Sequence, residues 1–138
     1  MTYAQQCIAQ AQPHLQAYGQ VATQYVTASM DRVPFGGEPD LVFVPAIGPN
    51  ANVVYLMEFR PGQFGRLDTA WLKQAVDHQA QILATNPDVP IVYALVTVAA
   101  LSPEQVAWCQ AFGLRVLQHV TDGFELATTL LIWAGVTL

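Results

Sequence analysis

Asp40, Glu58 and Arg60 lie along two otherwise apolar runs, PDLVFVPAIGPNANVVYLMEFRPG, in a chain with only five Lys plus Arg and ten Asp plus Glu. A carboxylate buried without a partner costs several kcal/mol, so acids set among apolar residues call for a cation, hydrogen-bond donors or water. Two acids and a guanidinium make a set that can hold a hard divalent cation and orient a phosphate. Glu58 and Arg60 are two residues apart, so on a strand they project from one face, above Val54 and Leu56. Asp40 opens the preceding run. If the two runs pair as an antiparallel hairpin, the start of the first lies beside the end of the second, and all three residues meet at one sheet edge. A plainer account is also available: a Glu58 to Arg60 edge salt bridge, and Asp40 as a turn residue after Pro39.

The surrounding pattern supplies the elements that must position these residues. Residues 3–30 carry Cys7, Ile8, Ala11, Leu15, Tyr18, Ala22, Tyr25 and Val26 at spacings of three and four, which predicts one long helix with a glutamine-rich outer face. Pro13 either kinks it or starts its second part. Arg32 to Phe35 reads as a first short strand and Gly36-Gly37 as a turn. Leu41 to Pro45 and Val53 to Arg60 read as strands, joined by IGPNAN, whose Gly, Pro and Asn suit a hairpin loop. Both faces of these strands are apolar, which places them centrally in a covered sheet.

A helix is predicted from the N-cap Asp68 to Thr85, with Leu72, Ala75, Val76 and Leu83 on its buried side. Ile91 to Val98 reads as a buried strand. Ser102-Pro103-Glu104-Gln105 reads as a capping box opening a helix that stops at Gly113. Leu114 to Gln118 gives a last strand, and Thr121 or Asp122 begins a terminal helix. The alternation of the second half predicts parallel pairing through helical crossovers. The expectation is one α/β domain over 1–138: a three-layer sandwich with a mixed sheet of about four or five strands between helices.

On these residues the chain resembles a known superfamily. Pro39-Asp40, followed after a hairpin by Glu58-Phe59-Arg60, is similar to the PD-(D/E)XK motif of restriction-endonuclease-like nucleases, and the element order resembles that superfamily's core across nearly the whole chain. The resemblance implies that Asp40 and Glu58 hold Mg2+ or Mn2+, that the ion activates a water and stabilises a phosphate transition state, and that the substrate is DNA. Arg60 stands where that pattern usually has lysine. Arginine stays protonated and cannot act as a base, yet it can clamp a phosphate through two hydrogen bonds. The resemblance also points to Lys73, the chain's one lysine, as a substitute amine, and to Gln74 and His78, four apart, as a loose match to a Gln-x-x-x-Tyr element.

Charge and composition bear on partners. A formal net charge of -5 is the wrong sign for gripping a polyanion, so nucleic acid is disfavoured unless placed cations, a metal ion or a partner subunit supply the positive field. With 53% apolar and 11% charged residues, a homo-oligomer or a subunit of a larger assembly is expected. The second functional reading is therefore a nuclease-like fold that has lost its chemistry and serves as an interaction or assembly subunit. Cys7 and Cys109 read as reduced, buried thiols, and His14 and His119 fall in no zinc spacing. No signal peptide pattern opens the chain, and the apolar stretch 124–138 is shorter than the roughly 20 residues a bilayer requires, so a cytoplasmic location away from membranes is expected.

Overall fold

A computed structural model describes residues 2–23, 40–63 and 65–136. The elements run α1 (Tyr3–Gln16), β1 (Gly19–Thr23), β2 (Leu41–Pro45), β3 (Val54–Phe59), α2 (Thr69–Thr85), β4 (Ile91–Val96), α3 (Pro103–Ala111), β5 (Arg115–Leu117) and α4 (Gly123–Trp133). The five strands form one mixed sheet in sequential order. β2 runs antiparallel to both of its neighbours, β1 and β3, whereas β3, β4 and β5 are parallel and joined by α2 and α3 as crossovers.

The strand alternation sorts side chains into two cores. Phe43, Tyr55, Met57, Phe59, Ala94 and Val96 face the layer that buries Cys7, Ile8, Ala11 and Leu15 of α1 with Leu126, Ala127 and Leu130 of α4. Val42, Val54, Leu56, Tyr93 and Leu95 face Leu72, Ala75 and Ile82 of α2 and Cys109 of α3. The result is a three-layer α/β sandwich with β3 at the centre, as the two-sided apolar strands imply.

Helix starts follow local chemistry. Asp68 Oδ1 accepts from the Ala70 amide at 2.8 Å. Ser102 and Gln105 close a reciprocal capping box, each accepting from the other's backbone N–H, with Pro103 at the first helical position. Asp122, not Thr121, caps α4.

The long first helix is not observed. α1 ends at Gln16, with Pro13 inside it, and residues 19–23 form β1. The physical reason lies at Gly19: a β-carbon there would stand 2.2 Å from the Val44 carbonyl oxygen, so the residue belongs to a close backbone approach against β2. Leu15 and Ala22, which fall on one stripe of an extended helix, pack in opposite layers of the sandwich. Tyr25 and Val26, the strand expected at Arg32 to Phe35, the Gly36-Gly37 turn and Pro39 lie outside the described residues.

Two smaller differences concern helix and strand ends. Leu83 is exposed and Ile82 is buried in its stead: around the α2 axis Ile82 falls within about 20° of buried Ala75, whereas Leu83 lies on the side of half-buried Val76. β4 stops at Val96. Thr97 turns inward, its hydroxyl accepting from the Ala99 amide, and Val98 is exposed.

Candidate functional site

β2 and β3 pair with Leu41 opposite Met57 and Val42 opposite Leu56. One step further in the same register sets Asp40 opposite Glu58, and residues directly opposite in an antiparallel pair share a face. Asp40 is buried, and its Oδ2 accepts from the Phe59 amide at 2.8 Å. That bond ties the first acid to the strand carrying the second. The hairpin expected from the sequence therefore closes as required, through a loop in which Gly48 and Asn52 take positive φ.

Glu58 sits on the α2 side of β3, beyond Val54 and Leu56. Its carboxylate is held at both oxygens. Oε1 lies 2.8 Å from His78 Nδ1, and Oε2 accepts from the Tyr93 hydroxyl. A carboxylate only accepts, so the histidine proton shared with it must sit on Nδ1. The two clamping residues come from different elements: His78 from the middle of α2, Tyr93 from β4, where it pairs with Leu56. Their rings meet edge to face at 5.8 Å. Side-chain exposure is 14% for Glu58 and 19% for His78, while Tyr93 is 2% exposed.

Arg60 follows the end of β3. Its amide donates to the Val96 carbonyl at 2.9 Å, continuing the parallel ladder, and its Nη1 donates to the Phe59 carbonyl at 3.0 Å. The Tyr93 phenol feels the whole group. Burial raises its pKa most, the hydrogen bond and charge of Glu58 raise it further, Arg60 opposes and Asp40 adds. Asp40, Glu58, Arg60, His78 and Tyr93 thus form one electrostatic cluster at the end of the sheet where β3 stops.

Lys73 and Gln74 are exposed on the N-terminal half of α2. Gln74 is one turn before His78 and lies near its stripe. Lys73 is five residues from His78, so it points about 140° away around the helix axis. The substitute-amine reading of Lys73 finds no support in this placement. His78 is the satisfied histidine that a position off the stripe's centre allows, but its partner is a site acid. Tyr93 escapes sequence reasoning because it reads as one more apolar residue of the run from Ile91; the one signal is that a buried tyrosine hydroxyl must find a partner.

The two acids are hard oxygen donors. Each Glu58 oxygen accepts one hydrogen bond and a carboxylate oxygen has room for a second contact. Mg2+ characteristically takes one or two carboxylates and completes its shell with water and phosphate. Among the described residues no group of three or more His, Cys, Asp or Glu is arranged to hold a metal ion. A cation here would rest on Asp40 and Glu58 alone. No helix among the described residues is long and apolar enough to cross a membrane.

No protein-family model matches the sequence, and no curated protein does. Among solved structures, protein VC1899 from Vibrio cholerae is similar, with a TM-score of 0.56 and 14% sequence identity over 95% of this chain. The chain spans 32% of that protein's length. At that identity the likeness is one of fold.

Proposed function

We propose that this domain is a divalent-cation-dependent nuclease of the restriction-endonuclease-like kind, hydrolysing DNA phosphodiesters. The observation that carries the reading is the bond from the Phe59 amide to Asp40 Oδ2, which sets the first acid beside Glu58 at the end of the β2–β3 ladder, with Arg60 two residues further along. Asp40 and Glu58 would hold Mg2+ or Mn2+, which, when bound, supplies Lewis-acid polarisation of the phosphate and eases deprotonation of a water. Arg60 would donate to two phosphate oxygens as negative charge grows on them, a role its fixed fork suits and one that needs no proton transfer. The acidic overall charge makes backbone binding weak without that cation. The test is titration calorimetry with Mn2+ on wild type and Asp40→Asn, together with cleavage of single- and double-stranded DNA with and without chelator. Cation binding lost in the variant, and cleavage stopped by chelator, support the reading; no cation binding by wild type removes it.

A second reading is an assembly subunit that keeps the fold without the chemistry. It draws on Arg60 in place of the usual lysine, and on Phe124 and Ile132, two turns apart on α4 and each more than half exposed. Such a stripe on a chain this poor in charge favours self-association or a partner. Sedimentation equilibrium of Phe124→Ser/Ile132→Ser against wild type tests it: a drop in mass supports the reading, and a wild-type monomer counts against self-association.

A further inference from the structure

Resting on the nuclease reading, we infer that Tyr93 and His78 are positioning residues that hold the Glu58 carboxylate in the orientation a divalent cation requires. Neither belongs to the Asp40, Glu58, Arg60 set. The geometry is a two-armed clamp: the Tyr93 hydroxyl donates to Oε2 from β4, and the His78 Nδ1–H donates to Oε1 from α2, at 2.8 Å. A glutamate side chain has three rotatable bonds, and ordering it costs entropy at the moment of binding unless it is already held. Here the order is built in. Tyr93 is 2% exposed and fixed by the β3 to β4 ladder, so its hydroxyl cannot follow Glu58 elsewhere. His78 is fixed by the α2 crossover, on the same helix as buried Ala75 and Ile82.

Each Glu58 oxygen takes one donor and, as a carboxylate oxygen, keeps room for a further contact. On the other side of β3 lies β2, immediately preceded by Asp40, whose Oδ2 accepts from the amide of Phe59 next to Glu58. Donors to a ligating carboxylate act on the cation through the ligand, and their removal characteristically weakens binding by about 10 to 100-fold.

The experiment is Mn2+ binding at fixed pH, read by electron paramagnetic resonance, for wild type, Tyr93→Phe, His78→Leu and His78→Asn, with thermal melts of each. Tyr93→Phe keeps the buried ring and removes only the hydroxyl; Asn keeps a donor near the Nδ1 position, and Leu does not. The expected result is a dissociation constant raised at least about tenfold for Tyr93→Phe and His78→Leu and within about threefold of wild type for His78→Asn. Folded Tyr93→Phe and His78→Leu proteins that bind Mn2+ as wild type does overturn the inference while leaving the nuclease reading standing. Wild-type protein that takes up no Mn2+ overturns both.

Discussion

Glu58 Oε1 and His78 Nδ1 lie 2.8 Å apart, joining the central strand of the sheet to the helix that crosses over it. The contact means that α2 does more than cover one face of β3 and β4. It carries a donor to the carboxylate at the end of β3, while its neighbours Ala75 and Ile82 bury into the core and hold the helix in place. The site and the core are thus built from the same crossover.

Asp40 has a structural bond as well as a candidate chemical role, and two substitutions separate them. Asp40→Ala leaves the Phe59 amide without its acceptor in a buried place, at a cost of about 1–3 kcal/mol. Asp40→Asn keeps an oxygen for that amide and removes the charge. The expected outcome is a lowered melting temperature for Ala, a nearly unchanged one for Asn, and loss of Mn2+-dependent cleavage in both, measured by calorimetry and a DNA nicking assay.

Arg60 is expected to act as a fixed cation. Arg60→Ala should lower cleavage by roughly 10²–10³-fold, the cost characteristic of losing one group that stabilises transition-state charge. Its effect on stability should be small, since the guanidinium donates to the adjacent Phe59 carbonyl. Arg60→Lys restores an ionisable amine and should retain or increase turnover. Equal rates for wild type and Arg60→Ala in a single-turnover assay would show that Arg60 touches no phosphate.

Gly123 opens α4 against α1, where a β-carbon would meet the Cys7 carbonyl oxygen at 2.2 Å and the Ala11 nitrogen at 2.6 Å. Its amide donates to Gln10 Oε1 at 2.7 Å. In an exposed helix interior Gly→Ala stabilises by up to about 1 kcal/mol. Here Gly123→Ala should destabilise instead, by about 1–3 kcal/mol or more, because two backbones must part. Urea denaturation of the purified variant checks the sign.

Alkali should reveal the buried phenols. The pKa values of Tyr3 and Tyr93 are pushed well above the ordinary 10, chiefly by burial, and for Tyr93 also by Glu58. Because the folded values exceed the unfolded one, these phenols leave stability intact below about pH 10 and withdraw it as pH rises beyond that. Phenolate absorbance at 295 nm should lag behind that of free tyrosine and then rise together with loss of far-ultraviolet circular dichroism. Gradual ionisation of all five tyrosines with the fold retained would contradict the burial of these two.

The layer architecture and most element positions were legible in the sequence, because they depend on interactions within about ten residues. The Asp68 cap, the Ser102–Gln105 box, the stop near Gly113 and the hairpin loop all express local backbone chemistry. Periodicity also separated the two apolar faces of β2 and β3. It failed at residues 17–23, where spacings of three and four continued the helical stripe although pairing with β2 drew the chain into a strand. Local pattern cannot weigh a ladder whose partners run from Thr23 with Leu41 to Gly19 with Pro45.

The acids of the candidate site were likewise visible as charges in apolar runs, and antiparallel pairing brings Asp40 to the Phe59 amide beside Glu58. What surrounds Glu58 was decided by tertiary structure. His78 reaches it only because α2 crosses back over the sheet, and Tyr93 only because β4 docks in parallel beside β3 with Tyr93 opposite Leu56. Residue types and spacings specify which side chains can bond; register and crossover, which are properties of the whole sheet, specify which ones do.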